Sequence, residues 1–244
     1  MILLPKLKIE RDELTEVQVI GKMRAWLQQQ DQNRTAEIHA SDLLDPRRAY
    51  WQWASPKELQ EKEVGLFVIG KVLHSFILGS VNPEHDEFSS DSGTKHALGI
   101  AYSQDWTRDG HPIELKSSRA AYETHPYRLQ EDLYIYWEQT CIYAALEGCE
   151  QAELWILYMS LKDKTGKTTP AMRCYRVELT SKQLADLKQQ VLEIRDALLE
   201  ARETRNPRDL ELCRGWKCGD ACAWWNQCQP PGRYPTLDKR KWTM

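Results

Sequence analysis

Three charged residues in the middle of the chain have the types and spacing of a divalent-metal site. Glu114 and Lys116 alternate with Ile113 and Leu115 in a predicted strand, so the carboxylate and the ammonium share one strand face. Asp105 is predicted to end the preceding strand. Hard cations such as Mg²⁺ take carboxylate oxygens as ligands and polarise phosphoryl oxygens. The pattern therefore indicates phosphoryl chemistry, in which Lys116 orients a water molecule or steadies developing charge.

The same Glu-x-Lys pattern also occurs on ordinary solvated strand faces, where it forms a modest ion pair. The strand before it is predicted over residues 97–103, where small and larger residues alternate. The Asp109-Gly110 dipeptide is a strong turn signal and separates the two strands. Other segments of the chain are needed to distinguish a metal site from an ordinary solvated strand face.

The composition is that of a soluble globular protein. The 244 residues are 41% hydrophobic and 28% charged, and the net charge of −3 gives no overall basic field, although a local basic groove is compatible with it. No run of about 18 apolar residues is present, so we expect no membrane span or membrane partner. The first residues are charged too early for a signal peptide, which predicts a cytoplasmic protein.

Hydrophobic periodicity predicts an α/β protein with a small mixed central sheet flanked by helices. We expect an N-terminal helical segment over residues 1–40, a core over residues 41–205 and a C-terminal cysteine segment with a tail over residues 206–244. His74 lies near the end of a mostly apolar helix, where a lone histidine is more often a packing residue than a ligand. Gln139 and Tyr143 are four residues apart and share one face of a later helix.

An arginine- and aromatic-rich helix is predicted to begin at Asp45-Pro46. Arg47 and Arg48 lie beside Tyr50 there, and guanidinium groups next to aromatic rings suit phosphate contact and base stacking. The alternative is an amphipathic helix with its aromatic side chains in the core. Both interpretations hold if different faces of the helix are involved.

Together these segments resemble the RecB-like branch of the PD-(D/E)xK nuclease superfamily over roughly residues 41–228. The matching pieces, in chain order, are DPRRAYW, GKVLH ending at His74, SQDW containing Asp105, Glu114-Leu115-Lys116, and Gln139-x-x-x-Tyr143. The resemblance implies a restriction-endonuclease-like nuclease core. It also implies an exonuclease or end-processing activity on single-stranded DNA or duplex ends, in recombination, repair, phage or CRISPR-type processing. Proteins of those systems would be the candidate partners.

The resemblance implies a role for each matching residue. Mg²⁺ or Mn²⁺ would be held by His74, Asp105, Glu114 and the carbonyl of Leu115. Lys116 would assist the attacking water. Gln139 and Tyr143 would line the site and contact the DNA backbone. The residues expected to bind DNA elsewhere are Arg47, Arg48, Tyr50 and Arg119.

The aspartate is where the sequence departs from the family pattern. Many RecB-like members have Gly-x-x-Asp, whereas the residue three positions after Gly99 is Tyr102. Asp105, in Ser-Gln-Asp, instead resembles the Ser-Pro-Asp of phage-type exonucleases, with Gln104 in the proline position. Asp109 in the turn is the alternative ligand. If neither carboxylate coordinates a metal, the chain would be a catalytically inactive DNA-binding or complex-assembly subunit with the same fold.

Four of the seven cysteines lie close together near the C-terminus in the pattern C-x4-C-x3-C-x5-C: Cys213, Cys218, Cys222 and Cys228. Clustered thiolates predict a metal site, and four cysteines suit either Zn²⁺ or a 4Fe–4S cluster. Several RecB-like nucleases, including those of CRISPR adaptation, hold a 4Fe–4S cluster with one N-terminal and three C-terminal cysteines. That likeness favours the cluster over Zn²⁺. Because DPRRAYW has no cysteine, Cys213 would complete a local set.

Overall fold

The computed structural model describes residues 21–23, 25, 37–57, 61–80, 88–89, 94–122, 133–162, 165–213 and 222–228. The chain divides into two compact units. The first comprises Met1–Thr35 and Glu58–Val72, and the second comprises Ala36–Lys57 and Leu73–Met244. The predicted N-terminal helical segment falls mostly outside the described residues, and the division after residues 40 and 205 stays a prediction. No helix in the described part of the chain is long and apolar enough to cross a bilayer.

The helices end where the sequence carries helix-end signals. Pro46 opens the first of them, at a position where a missing N–H removes no hydrogen bond. Thr180 and Gln183 form a reciprocal capping box at the start of the longest one. Gly148 ends the helix Tyr134–Glu147, and its φ of 73° lies in the left-handed region. In the parts of the chain that the structure describes, the helices with defined bounds are α1 (Pro46–Ala54), α2 (Glu61–Ser80), α3 (Tyr134–Glu147), α4 (Ser181–Thr204) and the single turn α5 (Trp225–Cys228), and a 3-10 turn, Ala40–Leu43, precedes α1.

The predicted mixed sheet between helices is confirmed. The strands among the described residues are β1 (Phe88–Ser89), β2 (Lys95–Ala97), β3 (Ile100–Tyr102), β4 (Trp106–Arg108), β5 (His111–Ser118), β6 (Gln151–Lys162) and β7 (Thr168–Glu178). Five of them form the main sheet in the order β1-β4-β5-β6-β7, and β2 and β3 form a separate antiparallel pair. Strands β5 and β6 are parallel, with α3 in the connection between them, and the other pairs of the main sheet are antiparallel.

The strand predicted over residues 97–103 is interrupted, which corrects the sequence interpretation. Leu98 and Gly99 both have positive φ, 54° and 72°, and form a tight turn that pairs Ala97 with Ile100. The alternating pattern hid this turn because a leucine seldom adopts a left-handed conformation. The strand also ends earlier than predicted: β3 stops at Tyr102, so Asp105 lies in the short link between β3 and β4 and not at the end of a strand.

The two faces of the main sheet pack against different helices. On one face, Leu154, Ile156 and Tyr158 pack with residues at the start of α3. Glu114 and Lys116 pair with Leu154 and Ile156 across the β5–β6 ladder, so their side chains lie on this same face. The opposite face carries a second apolar cluster, formed by Trp106, Ile113, Leu115, Trp155, Met172 and Ile77 of α2. Strand alternation therefore places the side chains of Glu114 and Lys116 on the face of the sheet that packs against α3.

Candidate active site

Asp105 is tied to the edge of β5 by its carboxylate. Its Oδ2 accepts a hydrogen bond from the main-chain N–H of Leu115, at 2.7 Å. The pairing of β4 with β5 runs from His111 only to Ile113, so Asp105 takes the next position along that edge. The N–H and C=O of one strand residue point to the same side of the strand, so the Leu115 carbonyl also faces the edge where Asp105 lies.

Glu114 is a buried carboxylate, with 2% of its surface exposed, and it forms an ion pair with Lys116. Asp105 also lies within hydrogen-bonding reach of Glu114. Burial raises the pKa of Glu114 to about 8, and the charge of Asp105 adds to this effect while Lys116 opposes it. Burial would lower the pKa of Lys116, but the charges of Glu114 and Asp105 outweigh it and hold that pKa above its usual value.

Gln139 and Tyr143 connect α3 to the segment that carries Asp105. The Tyr143 hydroxyl donates to the carbonyl of Ser103 at 3.0 Å, and the Gln139 side-chain amide donates to that hydroxyl at 2.9 Å. Tyr143 is only 5% exposed. Both side chains are therefore brought to the site, where their observed contacts position the link from Ser103 to Asp105. A contact from Tyr143 to the DNA backbone stays a prediction.

The fourth predicted metal ligand, His74, lies on α2, and its side chain falls outside the described residues. Among the side chains that the structure describes, no group of three or more His, Cys, Asp or Glu residues is arranged to hold a metal ion. The structure thus brings together two carboxylates, Asp105 and Glu114, with Lys116. The complete predicted ligand set stays a prediction.

Two of the predicted DNA-binding residues are buried within the protein. Arg47 is 5% exposed, and its guanidinium donates to the carbonyl of Arg208 at 2.8 Å and to that of Leu210 at 3.0 Å. Tyr50 is buried in the main apolar cluster. The DNA contacts expected of these two residues stay predictions.

The other two predicted DNA-binding residues remain accessible. Arg48 is half-buried, with its guanidinium 5.7 Å from the ring centre of Trp224, and Arg119 is exposed. The expectation of a DNA contact is therefore kept for Arg48 and Arg119.

The C-terminal cysteine segment docks on the end of α1. The Trp224 indole N–H donates to the carbonyl of Ser55 at 2.8 Å, and the Lys57 ammonium donates to the carbonyl of Ala223. Trp224 is buried against these residues and Arg48. Both contacts lie within the second unit.

The four-cysteine site itself stays a prediction. Cys213, Cys222 and Cys228 do not form a metal-binding group in the described part of the chain, and Cys218 lies outside it. Cys222 and Cys228 are close enough to interact electrostatically. Burial raises the pKa of the Cys228 thiol, while the nearby Arg47 guanidinium lowers it.

Sequence reasoning missed three features around β4 and β5. Tyr136 lies over Lys116, and its spacing from Gln139 and Tyr143 was the available signal. The side-chain amide of Gln104 is buried without a hydrogen-bond partner in the structure, and no sequence pattern predicts this burial. An open polar cleft of about 240 Å³ lies at the start of β5 and is lined by Arg108, Asp109, His111, Gln151, Ala152, Glu153 and Arg176. Asp109, the alternative ligand, thus belongs to this cleft.

No protein-family model and no curated protein sequence matches this chain. Among solved structures, the chain is similar to a phage-related exonuclease from Haemophilus somnus 129PT, with 11% identity, a TM-score of 0.46, and coverage of 69% of this chain and 96% of that one. It is also similar to an alkaline exonuclease from Laribacter hongkongensis, with 14% identity, a TM-score of 0.40, and coverage of 76% and 95%. For the complex of that alkaline exonuclease with dAMP, the identity is 14%, the TM-score is 0.40, and the coverage is 71% of this chain and 93% of that one. At these values the likenesses assign no activity to this chain.

Proposed function

We propose that this protein is a divalent-metal-dependent DNA nuclease that hydrolyses phosphodiester bonds. The observation that carries the proposal is the convergence of Asp105, Glu114 and Lys116 at one edge of β5. The two carboxylates lie within hydrogen-bonding reach of each other, and the pKa of Glu114 is raised to about 8. A cation that binds between them would favour the ionised form of both.

The donor atoms at this edge suit Mg²⁺ or Mn²⁺. Mg²⁺ is commonly held by one or two carboxylates, keeps several waters and takes phosphate oxygens of the substrate as further ligands. Asp105, Glu114 and the Leu115 carbonyl supply oxygen atoms, and His74 is the predicted fourth ligand. A cation bound there would polarise a phosphoryl oxygen and lower the pKa of a bound water.

The other residues act by orientation and charge. Lys116 presents an ammonium that can orient the attacking water or stabilise the charge that develops on the phosphoryl group. Gln139 and Tyr143 hold the carbonyl of Ser103, and through it the link to Asp105, against α3. Fixing this carboxylate relative to Glu114 favours a productive geometry, because small displacements of reacting groups lower the rate strongly.

The substrate and setting that we propose rest on the resemblance of these residues to RecB-like nucleases. The substrate is single-stranded DNA or duplex ends, processed in the cytoplasm during recombination, repair, phage replication or CRISPR adaptation. We also propose a 4Fe–4S cluster, with Zn²⁺ as the alternative, on the four C-terminal cysteines: Cys213, Cys218, Cys222 and Cys228.

A second candidate is a catalytically inactive DNA-binding or complex-assembly subunit. One observation favours it: both carboxylates of the site already have partners within the protein. Lys116 pairs with Glu114, and the Leu115 N–H donates to Asp105. A site that is satisfied in this way can persist as a structural feature without chemistry.

Cleavage assays with labelled DNA separate the two candidates. Purified protein is incubated with single-stranded and duplex DNA in Mg²⁺, in Mn²⁺ and in EDTA. Cleavage that EDTA abolishes supports the nuclease. DNA binding without cleavage under both metals supports the second candidate as a DNA-binding subunit. The absence of both binding and cleavage contradicts the nuclease and leaves the complex-assembly form of the second candidate.

A further inference from the structure

We propose that Tyr136 is a positioning residue that holds the ammonium of Lys116 at the candidate active site. This inference rests on the proposed nuclease function. The Nζ of Lys116 lies 5.9 Å from the centre of the Tyr136 ring, within the range of a cation–π contact. Lys116 is therefore held between the Glu114 carboxylate on its own strand and an aromatic ring on α3.

Tyr136 is itself fixed independently of Lys116. Its main-chain N–H donates to the carbonyl of Leu133 at 2.9 Å, and its carbonyl accepts from the Thr140 hydroxyl at 2.8 Å. Its ring packs against the buried cluster of Leu154, Ile156 and Tyr158. The first turn of α3 and the sheet thus set the position of the ring, and Lys116 conforms to it.

A second anchor for Lys116 has a physical reason. A lysine ammonium sits on a flexible four-carbon chain, so a single ion pair leaves its position poorly defined. If the Glu114 carboxylate binds a cation, its attraction for Lys116 weakens, whereas the ring of Tyr136 keeps its interaction. Tyr136 would therefore hold Lys116 at the site in the state in which chemistry takes place.

Three residues on one face of α3 contribute to the site. Tyr136, Gln139 and Tyr143 are three and then four residues apart, so their side chains follow one face of the helix. Tyr136 contacts Lys116, the Tyr143 hydroxyl donates to the carbonyl of Ser103, and the Gln139 amide donates to that hydroxyl. This one face therefore positions both the ammonium and the segment that carries Asp105.

Kinetics of two Tyr136 variants test the role. Tyr136→Leu removes the ring and should lower kcat for DNA cleavage by about tenfold, the size of a partly desolvated cation–π contact, with KM unchanged. Tyr136→Phe keeps the ring and should stay within about twofold of wild type, because the ring face supplies the attraction. Trp137→Leu is the matched control, because Trp137 packs against the same cluster from the same helix. Equal losses of kcat in Tyr136→Leu and Trp137→Leu would overturn the inference, as would an unchanged kcat in Tyr136→Leu.

A measurement that needs no activity decides the contact itself. In protein labelled with ¹³C-lysine, the ε-methylene signal of Lys116, identified by its loss in Lys116→Arg, should be displaced by the ring current. The displacement should persist in Tyr136→Phe and Trp137→Leu and vanish in Tyr136→Leu. An undisplaced signal in the wild type would overturn the inference. If the wild type cleaves no DNA, the proposed function fails while this spectrum still tests the contact.

Discussion

Asp105 accepts a hydrogen bond from the main-chain N–H of Leu115, at 2.7 Å, and this contact places its carboxylate beside Glu114. The contact lies where β4 has stopped pairing with β5, so a side chain takes the place of a strand partner. The position of Asp105 at the site depends on this side-chain contact with the strand. The contact explains how a residue in a link between strands reaches the strand that carries Glu114 and Lys116.

The two aspartates should therefore differ in importance. We expect Asp105→Asn to lower DNA cleavage by roughly 100-fold or more, a size typical of losing one directly participating group. Asp109→Asn should remain within about threefold of wild type, because Asp109 lies in the turn beside the polar cleft at the start of β5. Initial cleavage rates at saturating Mg²⁺ measure both effects.

The same pair of variants controls for folding. The side-chain oxygen of an asparagine can still accept from the Leu115 N–H, so the Tm of Asp105→Asn should stay close to that of wild type. If Asp109→Asn were the inactive variant and Asp105→Asn were normal, the assignment of the aspartate would be wrong.

Burial of Glu114 predicts a pH dependence of stability in the metal-free protein. Its folded pKa of about 8 exceeds its usual value of 4.5, so between these values the folded protein binds a proton that the unfolded chain has released. Stability falls with rising pH wherever the native state binds more protons. In EDTA, the Tm of wild type relative to Glu114→Gln should therefore decrease from about pH 5 to about pH 9. A difference that stays constant over this interval would contradict the buried carboxylate.

Arg47 and Arg119 should affect different properties of the protein. Arg47→Met leaves the carbonyls of Arg208 and Leu210 without their donor, and we expect a loss of about 2–3 kcal/mol in the free energy of unfolding. Arg119→Met, at an exposed position, should change stability by less than about 0.5 kcal/mol and should weaken DNA binding. Urea unfolding and a DNA-binding titration measure the two effects. A stable Arg47→Met variant that has lost DNA binding would reverse the assignment.

The cysteine segment gives a prediction about metal content. Replacing any one of the four clustered cysteines by serine should lose the bound metal and loosen the segment around Trp224, because metal binding contributes to the folding free energy of a short tail. Cys141→Ser is the control, because Cys141 lies apart from them on α3 and burial raises its pKa to about 12. Iron and acid-labile sulfide in anaerobically purified protein would identify the cluster, and zinc alone would identify the alternative. Wild-type protein with four free thiols and no metal would contradict the site.

The sequence predicts those features of the fold that depend on periodicity and on helix ends. Alternation along β5 correctly places Glu114 and Lys116 on the face opposite Leu115. The turn at Leu98 was missed, because local preference for that residue opposes the left-handed conformation that the β2–β3 pairing imposes.

The contacts that each of two neighbouring polar residues makes could not be predicted, because those contacts are with distant parts of the chain. Arg47 and Arg48 are adjacent and chemically identical. Only Arg47 faces the main-chain carbonyls that follow α4, about 160 residues later, whereas Arg48 lies at Trp224. The ring of Tyr136 over Lys116 likewise arises from packing between α3 and the sheet, to which a helical pattern assigns no partner.

The most direct test of the central claim compares two buried glutamates on neighbouring strands. Glu114 on β5 pairs with Lys116, and Glu153 on β6 pairs with Arg108 on the opposite face of the sheet. The measurement is the rate of cleavage of labelled DNA in Mg²⁺ by Glu114→Gln, Glu153→Gln, Lys116→Ala and wild type, each with a parallel EDTA control. The account predicts EDTA-sensitive cleavage by wild type and Glu153→Gln, and a rate lower by roughly 100-fold or more in Glu114→Gln and Lys116→Ala. Wild-type cleavage rates in Glu114→Gln and Lys116→Ala would contradict it.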